Sequence, residues 1–315
     1  MTTTRRDFVI KSAMAAAGMA YSYRSFANTN SASLISTRFS GNELSKISIF
    51  SRAFREISYA EMIPIVAAIG FDGIDLTVRL KGHVLPENVK RDLPIVVDKA
   101  KKSGLNIYMI ATDIIDADDH YTEPILETAA SLGIKYYRMG RQFYDKTKSI
   151  AENLADFRKE FEKLEKLNRK YNIRGECQNH EGDGFGAPVW DLWEVLKNID
   201  PQWTGVQYDL FHAAAEGANS WPLAFNLLQP HIGTLDMKDF YWKKADGKWD
   251  QEITPLGEGM VDFKKFFALL KDNNMHGPFS IHCEYLREKA DLDYKAAMMK
   301  KDLATLRGWV NDAQL

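Results

Sequence analysis

Cysteine is nearly absent: Cys177 and Cys283 are the two thiols of the 315-residue chain, too few for a disulfide framework or a thiolate-rich structural zinc site. Both fall on what reads as the outward face of buried strands, where a thiol behaves as a small hydrophobe. Excess charge of one sign is missing too. With 41 Lys and Arg against 43 Asp and Glu, the net charge is −2, and no basic stripe is present to select a phosphate backbone, so nucleic acid is not an expected partner. No apolar run is long enough to cross a bilayer, and no Gly-rich phosphate fingerprint follows the first strand-like segment. Histidine is sparse, with seven in the chain. Aromatics, at 12%, are not. Many gather near expected strand ends, among them Tyr136, Tyr137, Phe240, Tyr241 and Trp242, a placement that suits sugar stacking and ordinary packing equally.

The first residues read as an address and not as part of the fold. Thr4-Arg5-Arg6-Asp7-Phe8-Val9-Ile10-Lys11 resembles a twin-arginine export signal, followed by a weakly apolar run from Ser12 to Tyr21 and a small-x-small cleavage site at Ser25-Phe26-Ala27. Residues 1–27 are therefore expected to be a signal peptide and 28–45 a Ser/Asn/Thr-rich linker, with a periplasmic chain starting near Asn28. No cysteine follows the apolar run, so no lipid or other stable membrane anchor is expected.

From Ile47 onward, strand-like and helical patterns alternate. Strands are expected at Ile47–Arg52, Gly73–Arg79, Leu105–Asp113, Ile134–Gly140, Ile173–His180, Gly205–Asp209, Ile232–Asp239 and Pro278–Tyr285. Helices are expected at Tyr59–Ile69, Glu87–Ser103, Tyr121–Leu132, Ile150–Tyr171, Val189–Ile199, Trp221–Leu228, Val261–Lys271 and Leu292–Asn311, with Gly70, Gly104, Gly133 and Gly277 placed as left-handed residues after helix ends. Strict alternation of eight and eight predicts an α/β protein of the (β/α)8 TIM-barrel type, a single domain over residues 46–315. An open doubly wound sheet is the alternative, and the missing phosphate fingerprint counts against its nucleotide-binding forms.

Four of the strands carry polar side chains at alternate positions: Glu176, Gln178 and His180; Gln207 and Asp209; Thr234, Asp236 and Lys238; Ser280, His282 and Glu284. Successive strand residues face opposite ways, so each set shares one face. Buried polar groups are costly unless paired or metal-bound, so four such sets imply an interior that binds something. Ser48, Arg52, Asp75, Thr77, Arg79, Tyr136 and Arg138 of the earlier strands can share that interior. In a barrel the sets fall at the C-terminal mouth, where catalysis occurs. Gln178, Asp209, Asp236 and His282, one from each of the last four strands, form a donor set suited to a divalent ion, Mn2+ first and Mg2+, Co2+ or Zn2+ also compatible. His180, His212, Lys238 and Glu284 would form a second ring able to move protons or hold hydroxyls. A metal-free, salt-bridged interior is the competing reading.

Gln178-Asn179-His180, Asp209-Leu210-Phe211-His212, Asp236-Met237-Lys238-Asp239, Pro255-Leu256-Gly257-Glu258-Gly259 and Gly277-Pro278-Phe279-Ser280-Ile281-His282-Cys283-Glu284 resemble successive motifs of the xylose isomerase-like TIM barrels, often labelled sugar phosphate isomerase/epimerase. The resemblance spans Ile47 to the C-terminus. It implies metal-assisted proton chemistry next to a sugar carbonyl, a small-molecule sugar or glycoside substrate, and a homo-oligomer. The Lys238–Trp242 run and the His282–Tyr285 ending look closer to a branch that eliminates the aglycone of 3-keto-glycosides. In the family's isomerases and epimerases the ligands are Glu, Asp, His and Glu, whereas this chain has Gln178, Asp209, Asp236 and His282. Glu284 or His180 is the expected base, and His212 and Lys238 are expected to orient or protonate the substrate. Arg138, Glu176 and Trp242 are candidates for substrate binding. Export favours a neutral or oxidised sugar over a phosphorylated one. The alternative is a non-catalytic sugar-binding barrel with a degenerate metal site. The family's AP endonucleases are disfavoured, because a multi-zinc site consumes more histidines than this chain offers.

Overall fold

The computed structural model describes residues 45–286 and 290–315; the expected signal peptide and all but the last residue of the linker lie outside them. Eight parallel strands close into a barrel: β1 (Ile47–Phe50), β2 (Gly73–Thr77), β3 (Asn106–Ala111), β4 (Tyr136–Arg138), β5 (Arg174–Gln178), β6 (Thr204–Asp209), β7 (Ile232–Met237) and β10 (Phe279–Ile281). They run round the barrel in chain order, and β10 pairs with both β7 and β1. Around them lie α1 (Tyr59–Ile69), α2 (Val89–Lys102), α3 (Thr122–Ser131), α4 (Ile150–Tyr171), α5 (Trp190–Leu196), α6 (Leu210–Gly217), α7 (Trp221–Leu228), α8 (Phe263–Asp272) and α9 (Leu292–Ala313). The expected (β/α)8 architecture is therefore observed.

Local chemistry explains the element ends. Ser58 and Ser149 each form a reciprocal capping box, with Glu61 and Glu152, which satisfies N–H groups that α1 and α4 would otherwise leave unpaired. The four glycines expected after helix ends all have positive φ, between 77° and 100°. Outward strand residues such as Ile49, Ile74, Val206, Leu235 and Ile281 are sealed beneath the helices, and so is Cys177; both thiols are free. Among the described residues no helix is long and apolar enough to cross a membrane.

Two features depart from the expected alternation. Helix α6 begins directly at the end of β6, because the Asp209 side chain accepts from the His212 backbone N–H and serves as its N-cap. Between β7 and α8 an antiparallel hairpin is inserted, β8 (Asp239–Ala245) and β9 (Lys248–Thr254). Its turn is Asp246-Gly247, both at positive φ, the Asp-Gly signal of a two-residue hairpin. Strand ends also draw in: β10 stops at Ile281, which leaves His282 and Glu284 on the loop just beyond it. The Asp239 carboxylate accepts backbone N–H bonds from Gly257, Gly259 and Val261, and so folds the Leu-Gly-Glu-Gly segment against the hairpin base.

Candidate active site at the barrel mouth

Strand register decides which side chains meet. Asp209 pairs in register with Asp236, and Asp236 with Ser280, so three neighbouring strands present carboxylates and a hydroxyl at one level. Lys238 follows β7 directly and is 2% exposed. Its ammonium lies 2.9 Å from Asp209 Oδ2 and 3.8 Å from Glu284 Oε2. Burial works against that charge, but Asp209, Glu284 and Asp236 outweigh it and raise the lysine pKa above its usual range. Lys238 also lies 2.9 Å from His212 Nε2. An ammonium can only donate, so His212 Nε2 accepts, and its proton sits on Nδ1, facing the Glu181 carboxylate. Burial, then Lys238, keeps His212 far below its usual pKa and so neutral. His180 stacks on His212 at 4.0 Å; burial, then Lys238 and Arg141, bring it down to about 3.

Gln178 joins this chain of contacts to a second one. Its amide nitrogen donates to Asp209 Oδ2 at 2.9 Å and Asp236 Oδ2 at 2.7 Å, while its oxygen accepts from Arg138 at 3.0 Å. The orientation is fixed by the partners, since a guanidinium can only donate and carboxylates only accept. On the far side, Asp236 Oδ1 accepts from Gln207 at 2.7 Å and lies 3.2 Å from His282 Nε2. His282 in turn is 3.8 Å from Asp75 Oδ2, which accepts from Ser280 at 2.9 Å.

Above these groups is a cavity of about 400 Å3 whose walls include Phe50, Arg138, Gln178, His180, Lys238 and Glu284. Burial opposes ionisation of Glu284, yet Lys238, His282, Arg52 and Arg138 hold its carboxyl down to about 2. The cavity thus presents an anionic carboxylate and a buried ammonium side by side, with guanidinium groups and a neutral imidazole on the same walls. Phe50 stacks on His282 at 4.4 Å and lies under Arg138 at 4.6 Å.

Of the residues expected at the site, Gln178, Asp209, Asp236, Lys238, His180, His212, Glu284, Arg138 and His282 all come together here. Their grouping differs from the expected one. Asp236 and His282 converge with Asp75 as a fully buried donor cluster, their ligand atoms all within 4.8 Å of one another. Gln178 turns its amide nitrogen toward the carboxylates, and Asp209 is occupied by Lys238. Glu176 is placed deeper in the barrel, 1% exposed, 3.1 Å from Arg174 and accepting from Thr234 at 2.5 Å. This pair fills the space beside Gly205 and Gly233, where a Cβ would collide with Arg174 or Glu176. Trp242 stands on the hairpin, edge-on to Phe240 at 5.9 Å, and is not part of the cavity wall. Sequence reasoning named Asp75 only as an interior residue and passed over Glu181 and Gln207 as partners; alternation with Thr77 and Arg79 was the available signal for Asp75.

The donors suit a divalent ion. Asp75, Asp236 and His282 offer two carboxylates and an imidazole, and Asp75 Oδ1 and both ring nitrogens of His282, including the Nε2 that faces the two carboxylates, are buried with no hydrogen-bond partner among the described residues, an unusual state for such groups.

A closed eight-stranded barrel with carboxylate, imidazole and cationic groups at its C-terminal mouth defines a class, and sequence comparison identifies the family within it. The profile of the xylose isomerase-like TIM barrels matches residues 63–308, and the chain belongs to that family. A Haemophilus influenzae protein assigned as an L-ribulose-5-phosphate 3-epimerase is 32% identical over 92 residues, 29% of this chain and 31% of its own length. The chain thus matches about a third of that curated relative. Among solved structures, a 3-keto-D-glucoside 4-epimerase from E. coli superposes with a TM-score of 0.63 at 16% identity, covering 84% of this chain and 99% of its own. A xylose isomerase-like barrel from Mycobacterium smegmatis in complex with magnesium gives 0.61 at 18% identity, covering 86% and 99%. At such identities the structural likeness carries the fold.

Proposed function

We propose that this barrel is a sugar isomerase or epimerase that moves a proton on the carbon next to a carbonyl, with a divalent ion, Mn2+ by preference, held by Asp75, Asp236 and His282. The observation that carries the reading is the Glu284 carboxylate 3.8 Å from the Lys238 ammonium on the wall of one cavity. A carboxylate held in its anionic form can accept a carbon-bound proton, and a neighbouring ammonium can stabilise the oxyanion that develops as it leaves. A divalent ion, when bound, supplies Lewis acidity toward a sugar carbonyl or vicinal hydroxyl. Arg138 is placed to hold a sugar oxygen. The Asp209–Lys238–His212–Glu181 chain of contacts fixes the ammonium and, through the stacked pair, the neutral ring of His180. Return of the proton to the other face gives an epimer, and its return to the adjacent carbon gives an isomer. Expulsion of a β-substituent from the same enediolate gives elimination, as the sequence of the Lys238–Trp242 and His282–Tyr285 segments suggests for a 3-keto-glycoside. The E. coli and H. influenzae relatives, named as 3-keto-glucoside and ribulose-phosphate epimerases, support the reaction type.

The test is solvent deuterium exchange, followed by NMR, into fructose and a 3-keto-glucoside by the Mn2+-supplemented protein. Exchange that Glu284→Gln lowers by at least about a hundredfold is the expected result, the range of a lost general base; a variant that exchanges at the full rate sinks the assignment. A second reading, a non-catalytic sugar-binding barrel, draws on the Gln178 amide and Lys238 ammonium that already bridge and neutralise Asp209 and Asp236. Sugar binding without metal uptake and without exchange is its signature.

A further inference from the structure

The chain as a whole is slightly acidic, with a net charge of −2, but its mouth cavity is not. Arg52, Arg79, Arg138, Arg141 and Lys238 line it; with Lys238 set against the Asp209 carboxylate beneath it, four guanidinium groups face the two carboxylates of Asp113 and Glu284. Those two acids are already engaged: Glu284 lies 3.6 Å from Arg52 as well as near Lys238, and Asp113 lies 3.9 Å from Arg79. Arg138 is 8% exposed, and its described hydrogen bond goes to the neutral Gln178 amide. Arg141 leans on the Phe143 ring at 5.1 Å. Neither Arg138 nor Arg141 has a carboxylate within ion-pair distance among the described residues. Burial, then repulsion from Arg138, lowers the Arg79 pKa; Asp113 opposes, Arg52 adds to the lowering and Asp75 opposes it, and the net direction is down. Like charges gathered in a partly desolvated cleft repel one another, and a protein gains by such an arrangement when a ligand brings the missing anion.

We infer that the substrate carries an anionic group, a carboxylate or a phosphate or sulfate ester, which docks between Arg79, Arg138 and Arg141 while the sugar ring lies toward Lys238 and Glu284. Guanidinium groups pair with either oxyanion by two parallel hydrogen bonds, which gives orientation as well as affinity. This deepens the proposed function, on which it rests for the position of the ring, and it departs from the expectation of a neutral sugar by requiring an acidic one, carboxylated or esterified. An anion anchored at the Arg141 rim would also set which ring carbon faces Glu284.

The test is titration calorimetry of the full chain with glucose, glucuronate and glucose 6-phosphate, at low and high salt. An acidic sugar should bind at least about tenfold more tightly than glucose, as charge-assisted bonds would give, with an advantage that shrinks as salt rises. Glucuronate ahead of glucose 6-phosphate assigns a carboxylated sugar, and the reverse order an ester. Arg141→Gln, on an exposed side chain, should narrow the acidic-to-neutral ratio by about tenfold, and Arg79→Gln is the second variant, each checked for an unchanged melting temperature. Equal binding of all three sugars, or a ratio that neither variant moves, overturns the inference. Preferential acidic binding with no deuterium exchange into any keto-sugar leaves this inference standing and removes the proton-transfer reading; exchange into neutral ketoses with no acidic preference does the opposite.

Discussion

Lys238→Met is the sharpest perturbation available, because it keeps the aliphatic stem and deletes the ammonium that neutralises Asp209. Lys238 is 2% exposed and Asp209 is fully buried, 2.9 Å apart. Asp209 has no exposed surface of its own through which solvent could take over the lost partner. Asp209 would keep its bonds from Gln178 and from the His212 backbone, but an amide and a peptide N–H do not cancel a full charge. Removing one member of a buried ion pair costs about 3–5 kcal/mol, and His212 Nε2 loses its donor as well, worth about 1 kcal/mol. For a barrel of this size that corresponds to a fall in melting temperature of roughly 10 °C. The assay is scanning calorimetry at neutral pH with urea unfolding alongside. The control is Asp209→Asn/Lys238→Met, which removes both charges and should recover all but about 1–2 kcal/mol. A single variant that loses less than about 1 kcal/mol, or a double variant no more stable than the single, refutes the claim that this ammonium is the internal counter-charge of the site.

Four shorter expectations follow from the same geometry. In equilibrium dialysis with Mn2+, Asp75→Asn should weaken uptake by at least about tenfold, as loss of a charged ligand does, whereas Asp209→Asn should leave it within about twofold; the opposite order would return the ion to Asp209. Burial lifts the Glu176 carboxyl from its ordinary 4.5 to about 7, with Arg174 opposing. The folded state therefore holds a proton there that the unfolded chain releases, so this stabilisation, about 3 kcal/mol, is full below the unfolded pKa and lost as pH rises through the folded one. Glu176→Gln should flatten the slope of melting temperature against pH across that window. A Cβ on Gly233 would collide with the Glu176 carboxylate, which Arg174 and Thr234 hold in a fully buried place, so Gly233→Ala should cost about 1–3 kcal/mol in urea unfolding. The Asp239 carboxylate collects the N–H groups of Gly257, Gly259 and Val261, and Asp239→Ala should speed hydrogen exchange at these amides while α4 stays protected.

Alternation along a strand tells which side chains enter the barrel, but not which atoms meet there, and the legible and illegible parts of this site divide along that line. The barrel, the inward sets on β5, β6, β7 and β10, and the pairing of Asp236 with His282 all follow from period-two patterning joined to a closed sheet. Gln178 shows where such reading stops. Its position predicts an inward amide, yet its orientation is dictated by Arg138 on the neighbouring strand, which claims the oxygen and leaves the nitrogen for the two carboxylates. For Gln178 to serve as a ligand, its amide would have to turn over and give up Arg138. Asp75 is the converse case, an inward residue whose partners, Ser280 and His282, lie more than half the chain away and become neighbours only when β1 and β2 close against β10. The hairpin was legible locally in Asp246-Gly247, but Trp242 changes its meaning once that hairpin carries it away from the cavity. Net charge conceals most of all. A sum of −2 averages over surface acids that have nothing to do with chemistry, while Arg52, Arg79, and Arg138 with Arg141 reach one cavity from three separate segments. Each of these arginines was visible in the sequence; their surplus exists only where the loops of the barrel mouth bring them together, and that local field, not the chain's overall balance, is what a substrate meets.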